Sequence, residues 1–129
     1  MRVYLAGPMR KIKNFNAPLF NTVAGLLRER ELEVVNPVEM DKEHFGLDPM
    51  ELPEDTNWDV APAGFNLRAC ALEDVRALVR CDAIFLLPGW QYSTGALAEL
   101  AVARWINIPR FQVNVVEFEG NERVEWSEI

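Results

Sequence analysis

Two carboxylates stand out because their neighbours make an acid there need a reason. Glu99 lies three residues after Ala96 and four before Ala103, so it shares a helix face with small residues rather than with solvated ones. Asp74 lies three residues after Ala71 and four before Leu78, on or beside an apolar stripe. A carboxylate there needs a partner or a purpose. Each has an inert alternative. An acid early in a helix gains ~0.3–1 kcal/mol from the helix dipole, and Asp74 can pair with Arg68 or Arg76. Glu73 points elsewhere and reads as solvated. Asp82, at the amino end of a strand, reads as a structural cap. Ser93, Thr94 and Gly95 form a small-residue loop before the Glu99 helix, a natural cradle for an anion. Tyr4 would matter if its hydroxyl reached a carboxylate, where it would orient the group or tune its pKa. Trp90 suits stacking on a planar ring or an oligomer contact. His44, the single histidine, reads as an exposed loop residue. Cys70 and Cys81 have neither disulfide nor metal-ligand spacing.

The elements that must position these groups follow from periodicity. Residues 3–6 read as a short buried strand ended by Gly7 and Pro8. Arg10, Lys11 and Lys13 follow in a basic loop. Asn16 then caps a helix with Pro18 in its first turn and Leu19, Phe20, Val23, Leu26 and Leu27 on one face. Val34 and Val35 make a second strand, stopped by Asn36 and Pro37. Residues 38–65 read as an irregular acidic loop with three prolines and the aromatics Phe45, Trp58 and Phe65. Helical spacing returns from Leu67 to Val79. Residues 83–87 are a continuous apolar run, the pattern of a central strand covered on both faces. A third helix spans about residues 96–105 and a last strand about 111–116. The acidic tail, 117–129, is left open between an extra strand, a frayed end and an oligomer contact.

This order predicts a single α/β domain over residues 1–129, flavodoxin-like, with a parallel sheet and helices on both faces. Right-handed crossovers put the first strand between the second and third. The winding reverses between strands one and three, so a ligand is expected beyond their carboxyl ends. Those ends are Gly7, Pro8 and Met9 on one side, and Gly89 and Trp90 on the other.

Composition narrows the function classes. Half of the 129 residues are hydrophobic, enough for one core, and the formal net charge is −7. Such a chain has no electrostatic footprint for a long nucleic acid, though a small phosphate remains compatible with a local loop. No apolar stretch approaches the ~20 residues that span a bilayer, so no membrane partner is expected. The first residues run straight into a strand, so no signal or transit peptide is expected and a cytoplasmic location follows, bacterial or, for a phage-encoded chain, in the host.

Taken together, Tyr4 to Pro8, Val35 to Pro37, Cys81 to Trp90 and the Ser93 to Glu99 segment resemble the nucleoside 2-deoxyribosyltransferase-like superfamily, in its small bacterial and phage branch known as DUF4406. The last segment is similar to that branch's Ser-x-Gly-Ala-x-x-Glu pattern. The resemblance covers roughly residues 2–113. It implies that Glu99 attacks the anomeric carbon, that Asp74 helps protonate the leaving base, and that Tyr4 contacts the nucleophilic carboxylate. The sequence of events parallels retaining glycoside hydrolysis. Relatives acting on free nucleosides carry aspartate six residues before the nucleophile. The deoxynucleoside 5′-monophosphate N-glycosidases carry serine, as here at Ser93. A serine hydroxyl at a helix N-terminus attracts a phosphate that aspartate would repel.

The expectation is therefore hydrolysis of the N-glycosidic bond of a 2′-deoxynucleoside 5′-monophosphate. Catalysis falls to Glu99, Asp74 and Tyr4, and substrate binding to Gly7, Pro8, Met9, Gly89, Trp90, Ser93 and Gly95. Base exchange by 2-deoxyribosyl transfer is the alternative within the class, and a non-catalytic nucleotide-binding module the alternative outside it. No metal or cofactor is implied, because carboxylates and dipoles can meet the charge development. A homo-oligomer, dimer or higher, is expected, with Trp105 or Trp126 as contact residues.

Overall fold

A run of apolar β-formers makes β1 (Arg2–Ala6), the strand on which the rest is hung. The computed structural model describes residues 1–129. After β1 come α1 (Ala17–Glu29), β2 (Glu33–Val35), α2 (Pro37–Phe45), α3 (Leu67–Leu78), β3 (Ala83–Leu86), α4 (Thr94–Trp105), β4 (Arg110–Phe118) and β5 (Asn121–Glu128). The sheet order is β2-β1-β3-β4-β5. The first four strands are mutually parallel, and β5 returns antiparallel on β4. β1 thus lies between β2 and β3, and the crossovers diverge at the β1–β3 junction, as the element order predicts.

The two sides of the sheet have separate cores because strand side chains alternate. Val3 and Leu5 of β1 and Phe85 of β3 face α1, with Phe20, Val23 and Leu27 packed on them. Tyr4 and Ala6, with Ile84 and Leu86, face the other way, towards Leu78 of α3 and Ala96, Leu100 and Ala103 of α4. Helices therefore cover both faces. The Tyr4 side is the one that carries Asp74 and Glu99.

Three expectations change. The segment 38–65 is not one irregular loop: it begins with α2 and holds a 3₁₀ turn at Pro49–Glu51. Asn36 accepts a hydrogen bond from the Val38 N–H, Pro37 occupies the first helical position, and Gly46 at φ 67° ends the helix. Asn36 and Pro37 thus start a helix as well as stop a strand. The tail is β5, joined to β4 through Glu119 and Gly120, both at positive φ as a two-residue hairpin requires. β5 turns Val124 and Trp126 inward. Trp126 sits 5.4 Å from the Phe85 ring, under the Arg30 guanidinium, so it packs half-buried on this chain's own core. Finally, Asn16 precedes α1 but makes no side-chain cap. It is left-handed, and its amide donates to the Pro8 carbonyl instead.

Candidate active site

The carboxyl ends of β1 and β3 are drawn close together. The Leu87 N–H donates to the Ala6 carbonyl at 2.8 Å, and a Cβ built on Gly7 would lie 2.8 Å from Leu87 Cβ. Gly7 is therefore required by packing. Gly89, at φ 86°, closes against the Pro8 ring, where a Cβ would meet Cγ at 3.2 Å. The Pro8 carbonyl is fixed by Asn16 Nδ2 at 2.8 Å. Asn16 is the last of three successive left-handed residues, after Asn14 and Phe15. Phe15 packs edge-on against Trp58, with centroids 5.1 Å apart, and Asn14 Nδ2 donates to the Pro49 carbonyl. This strained turn is a wall of the crevice anchored to the segment after α2.

Into the crevice come Tyr4 from β1, Asp74 from α3 and Glu99 from α4. Tyr4 is fully buried, and its hydroxyl has no hydrogen-bond partner. Glu99 is partly buried, but its Oε2 is enclosed and also unpaired. The two are near neighbours. Burial pushes the Glu99 carboxyl up to about 8, with the Tyr4 hydroxyl favouring its ionised form and the Asp74 charge opposing it. Burial, then the charges of Glu99 and Asp74, hold the Tyr4 phenol well above its ordinary value. The two groups act on one another, but neither oxygen makes a well-formed hydrogen bond within the protein. Buried polar atoms without a protein partner call for a water, an ion or a ligand group to complete them.

Asp74 makes neither of the ion pairs open to it from the sequence. Arg76 bonds Glu73 instead, at 3.6 Å. Its neighbour is the Cys70 thiol, whose Sγ is 3.5 Å from Asp74 Oδ2 and 3.8 Å from Asp41 Oδ1. Burial raises Asp74 to about 6, with the thiol acting the other way and Glu73 adding to the rise. Burial, then the Asp74 charge, raises Asp41 to about 6 as well. Burial, then the same two acids, push the Cys70 thiol up, so it stays protonated and donates to the carboxylates. The three ligand atoms lie within 4.8 Å of one another, a set that can hold a divalent cation once the thiol has lost its proton. Asp41 and Cys70 enter the site only through the fold. Their separation of 29 residues gave no motif, although Asp41 on the inner face of a capped helix was the available signal.

The remaining expected residues divide. Ser93 Oγ accepts from the Ala96 N–H at 3.1 Å, which makes Ser93 the N-cap of α4 and leaves its hydroxyl proton to donate outward. Gly95 is exposed, with open space around it. Trp90 is half-buried against the Tyr4 side of the core. Met9 is half-buried and packs on the α1 side of the sheet. Arg10, Lys11, Lys13 and His44 are exposed. Asp82 accepts from the Arg2 N–H at 2.8 Å, the capping role its position suggests. No helix is long and apolar enough to cross a membrane.

The family model described as Domain of unknown function (DUF4406) matches residues 1–111. No curated protein matches the chain.

Proposed function

For a chain that belongs to the DUF4406 family, we propose hydrolysis of the N-glycosidic bond of a 2′-deoxynucleoside 5′-monophosphate, as in the nucleoside 2-deoxyribosyltransferase-like enzymes. One observation carries the reading: Glu99 Oε2 and the Tyr4 hydroxyl are both buried and unpaired at the β1–β3 junction, with Asp74 beside them. An enclosed carboxylate with an unused lone pair suits attack on an electrophilic carbon.

A Glu99 oxygen bonds to C1′ as the bond from C1′ to the base nitrogen breaks. The electron pair of that bond goes to the base, which takes a proton from Asp74. Water then cleaves the glycosyl ester, with Asp74 recovering a proton, and frees Glu99. The chemistry needs Glu99 ionised and Asp74 protonated. The two acids share one proton between about pH 6 and about pH 8, mostly on Glu99. The positive charge that develops at C1′ favours moving that proton to Asp74. Tyr4 gives the departing carboxylate a hydrogen bond. The Ser93 hydroxyl and the α4 N-terminus would receive the 5′-phosphate. Trp105, 85% exposed on α4, is our choice for the contact of a homo-oligomer.

The decisive experiment is to incubate the protein with deoxynucleosides and their monophosphates, with and without an acceptor base, and separate the products. Free base should appear from a monophosphate with native protein and be lost in Glu99→Ala. Release by Glu99→Ala at the native rate removes Glu99 as nucleophile. A new nucleoside formed only with acceptor base identifies a transferase. No product from any substrate leaves a binding module.

A further inference from the structure

Between the end of α2 and the start of α3 lies a cavity of about 240 Å³. Phe45, Leu47, Pro62 and Phe65 supply its apolar walls, and Asp41 and Asn66 its polar ones. It is smaller than the ~300–1,000 Å³ of drug-sized sites and suits a single heteroaromatic ring system. Two features give it chemistry.

Asp41 is only 7% exposed, yet the side-chain donor that reaches it is a thiol at 3.8 Å, a weak one. Its carboxyl therefore keeps acceptor capacity on the cavity side. Asn66 has its Oδ1 committed to the Ala69 N–H at 3.0 Å as the N-cap of α3, so its NH₂ is left to donate. The same thiol that touches Asp41 touches Asp74 at 3.5 Å. The cavity is thus one side chain away from the acid that protonates the leaving group.

We infer that this cavity seats the base, and that it selects a base carrying an exocyclic amino group, which Asp41 accepts. The assignment rests on the glycosidase reading, but the binding itself does not need turnover. Both the ionised and the protonated carboxyl accept an N–H. Against the ionised carboxylate, a ring carbonyl in the same place sets lone pair against lone pair. A buried polar group built to bond a ligand donor rejects the analogue lacking it more sharply than an apolar wall does. Phe45 and Phe65 offer ring faces, which do not discriminate amino from carbonyl.

The test compares two matched pairs of free bases, adenine with hypoxanthine and cytosine with uracil, by titration calorimetry on the full chain. The amino-bearing member of each pair should bind native protein about tenfold tighter or better. Asp41→Asn, which can turn its NH₂ to a carbonyl, should bring the pair to parity or invert it. Phe65→Ala should weaken all four bases alike and leave the preference intact, which separates lost recognition from a damaged fold. Equal binding within each native pair, an Asp41→Asn protein that keeps the native preference, or failure of all four bases to bind at millimolar concentration overturns the inference. The reaction is scored separately. Base released without amino preference defeats the base site and spares the glycosidase. Selective binding of free bases with no release from any nucleotide does the opposite.

Discussion

Glu99→Gln should make the protein more stable as it makes it inactive, and the gain should depend on pH. In the unfolded chain the carboxyl titrates at its ordinary 4.5, and in the folded chain burial lifts it to about 8. The folded pKa is raised, so the stability this group contributes is fully present below 4.5 and lost as pH rises through 8. At pH 7 folding must draw a proton onto a group that is ionised when unfolded, at a cost of about 3 kcal/mol. Glutamine keeps the shape and a neutral polar group but takes up no proton. Part of the gain is lost because the amide inherits the unpaired surroundings of Oε2, so about 1–2 kcal/mol should remain. For a chain of this size that is a rise in Tm of about 4–7 °C. The assay is thermal unfolding by circular dichroism from pH 5 to pH 8.5. The variant should be slightly the less stable at pH 5, cross the native protein near pH 6 and gain on it up to about pH 8. Parallel curves, or a native protein that gains on the variant with rising pH, would refute a buried, proton-loaded Glu99.

Other expectations are independent of that one. Ser93→Ala removes the α4 cap and should cost about 1 kcal/mol in chemical denaturation, whereas Ser93→Asp keeps a capping oxygen and should leave stability unchanged while shifting use from monophosphates to nucleosides. An unchanged kcat/KM ratio in that second variant counts against the phosphate assignment. Gly7→Ala forces β1 and β3 apart against Leu87 Cβ and should cost about 1–3 kcal/mol, read in the same denaturation. Trp126→Ala empties the space beside Phe85 and Arg30 and should cost about 3–5 kcal/mol, with no change in the oligomeric state measured by sedimentation. Base release should follow a bell in pH with its maximum between about 6 and about 8, since one proton must be shared by Asp74 and Glu99. A rate still climbing above pH 9 argues against Asp74 as the acid.

Where the sequence pattern is strong, it led to the right element. The apolar run of residues 83–87 holds β3 and is buried throughout, and the order of strands around β1 follows from crossover handedness. Glu99 and Asp74 approach one another as their helix phases suggest, whereas strand position leaves Tyr4 free to face either side and only the resemblance placed it with them. What stayed hidden has a physical reason. In α2 only Pro37, Val38 and Asp41 are buried, so the position that would carry the apolar period carries an acid instead. The group that gives the helix its chemical interest is the group that erased its signature. In β5 the exposed positions are charged and the inward ones few, and the hairpin turn is Glu-Gly rather than the stronger Asn-Gly signal. Asp41 and Cys70 meet only because β2 ends in a helix that leads back over the sheet.

The left-handed turn at Asn14, Phe15 and Asn16 ties distant parts of the chain into one mechanical unit. Asparagine tolerates that conformation, but phenylalanine does not. The turn persists because Trp58 and the Pro49 carbonyl hold it from a segment more than thirty residues further on. A cut in the exposed stretch 53–55 would sever no catalytic residue. It would still loosen the grip on Phe15, let Asn16 relax towards ordinary helical geometry, and withdraw the amide that fixes the Pro8 carbonyl. The crevice wall is a spring held cocked from a distance, and a protease would read its release as readily as an assay.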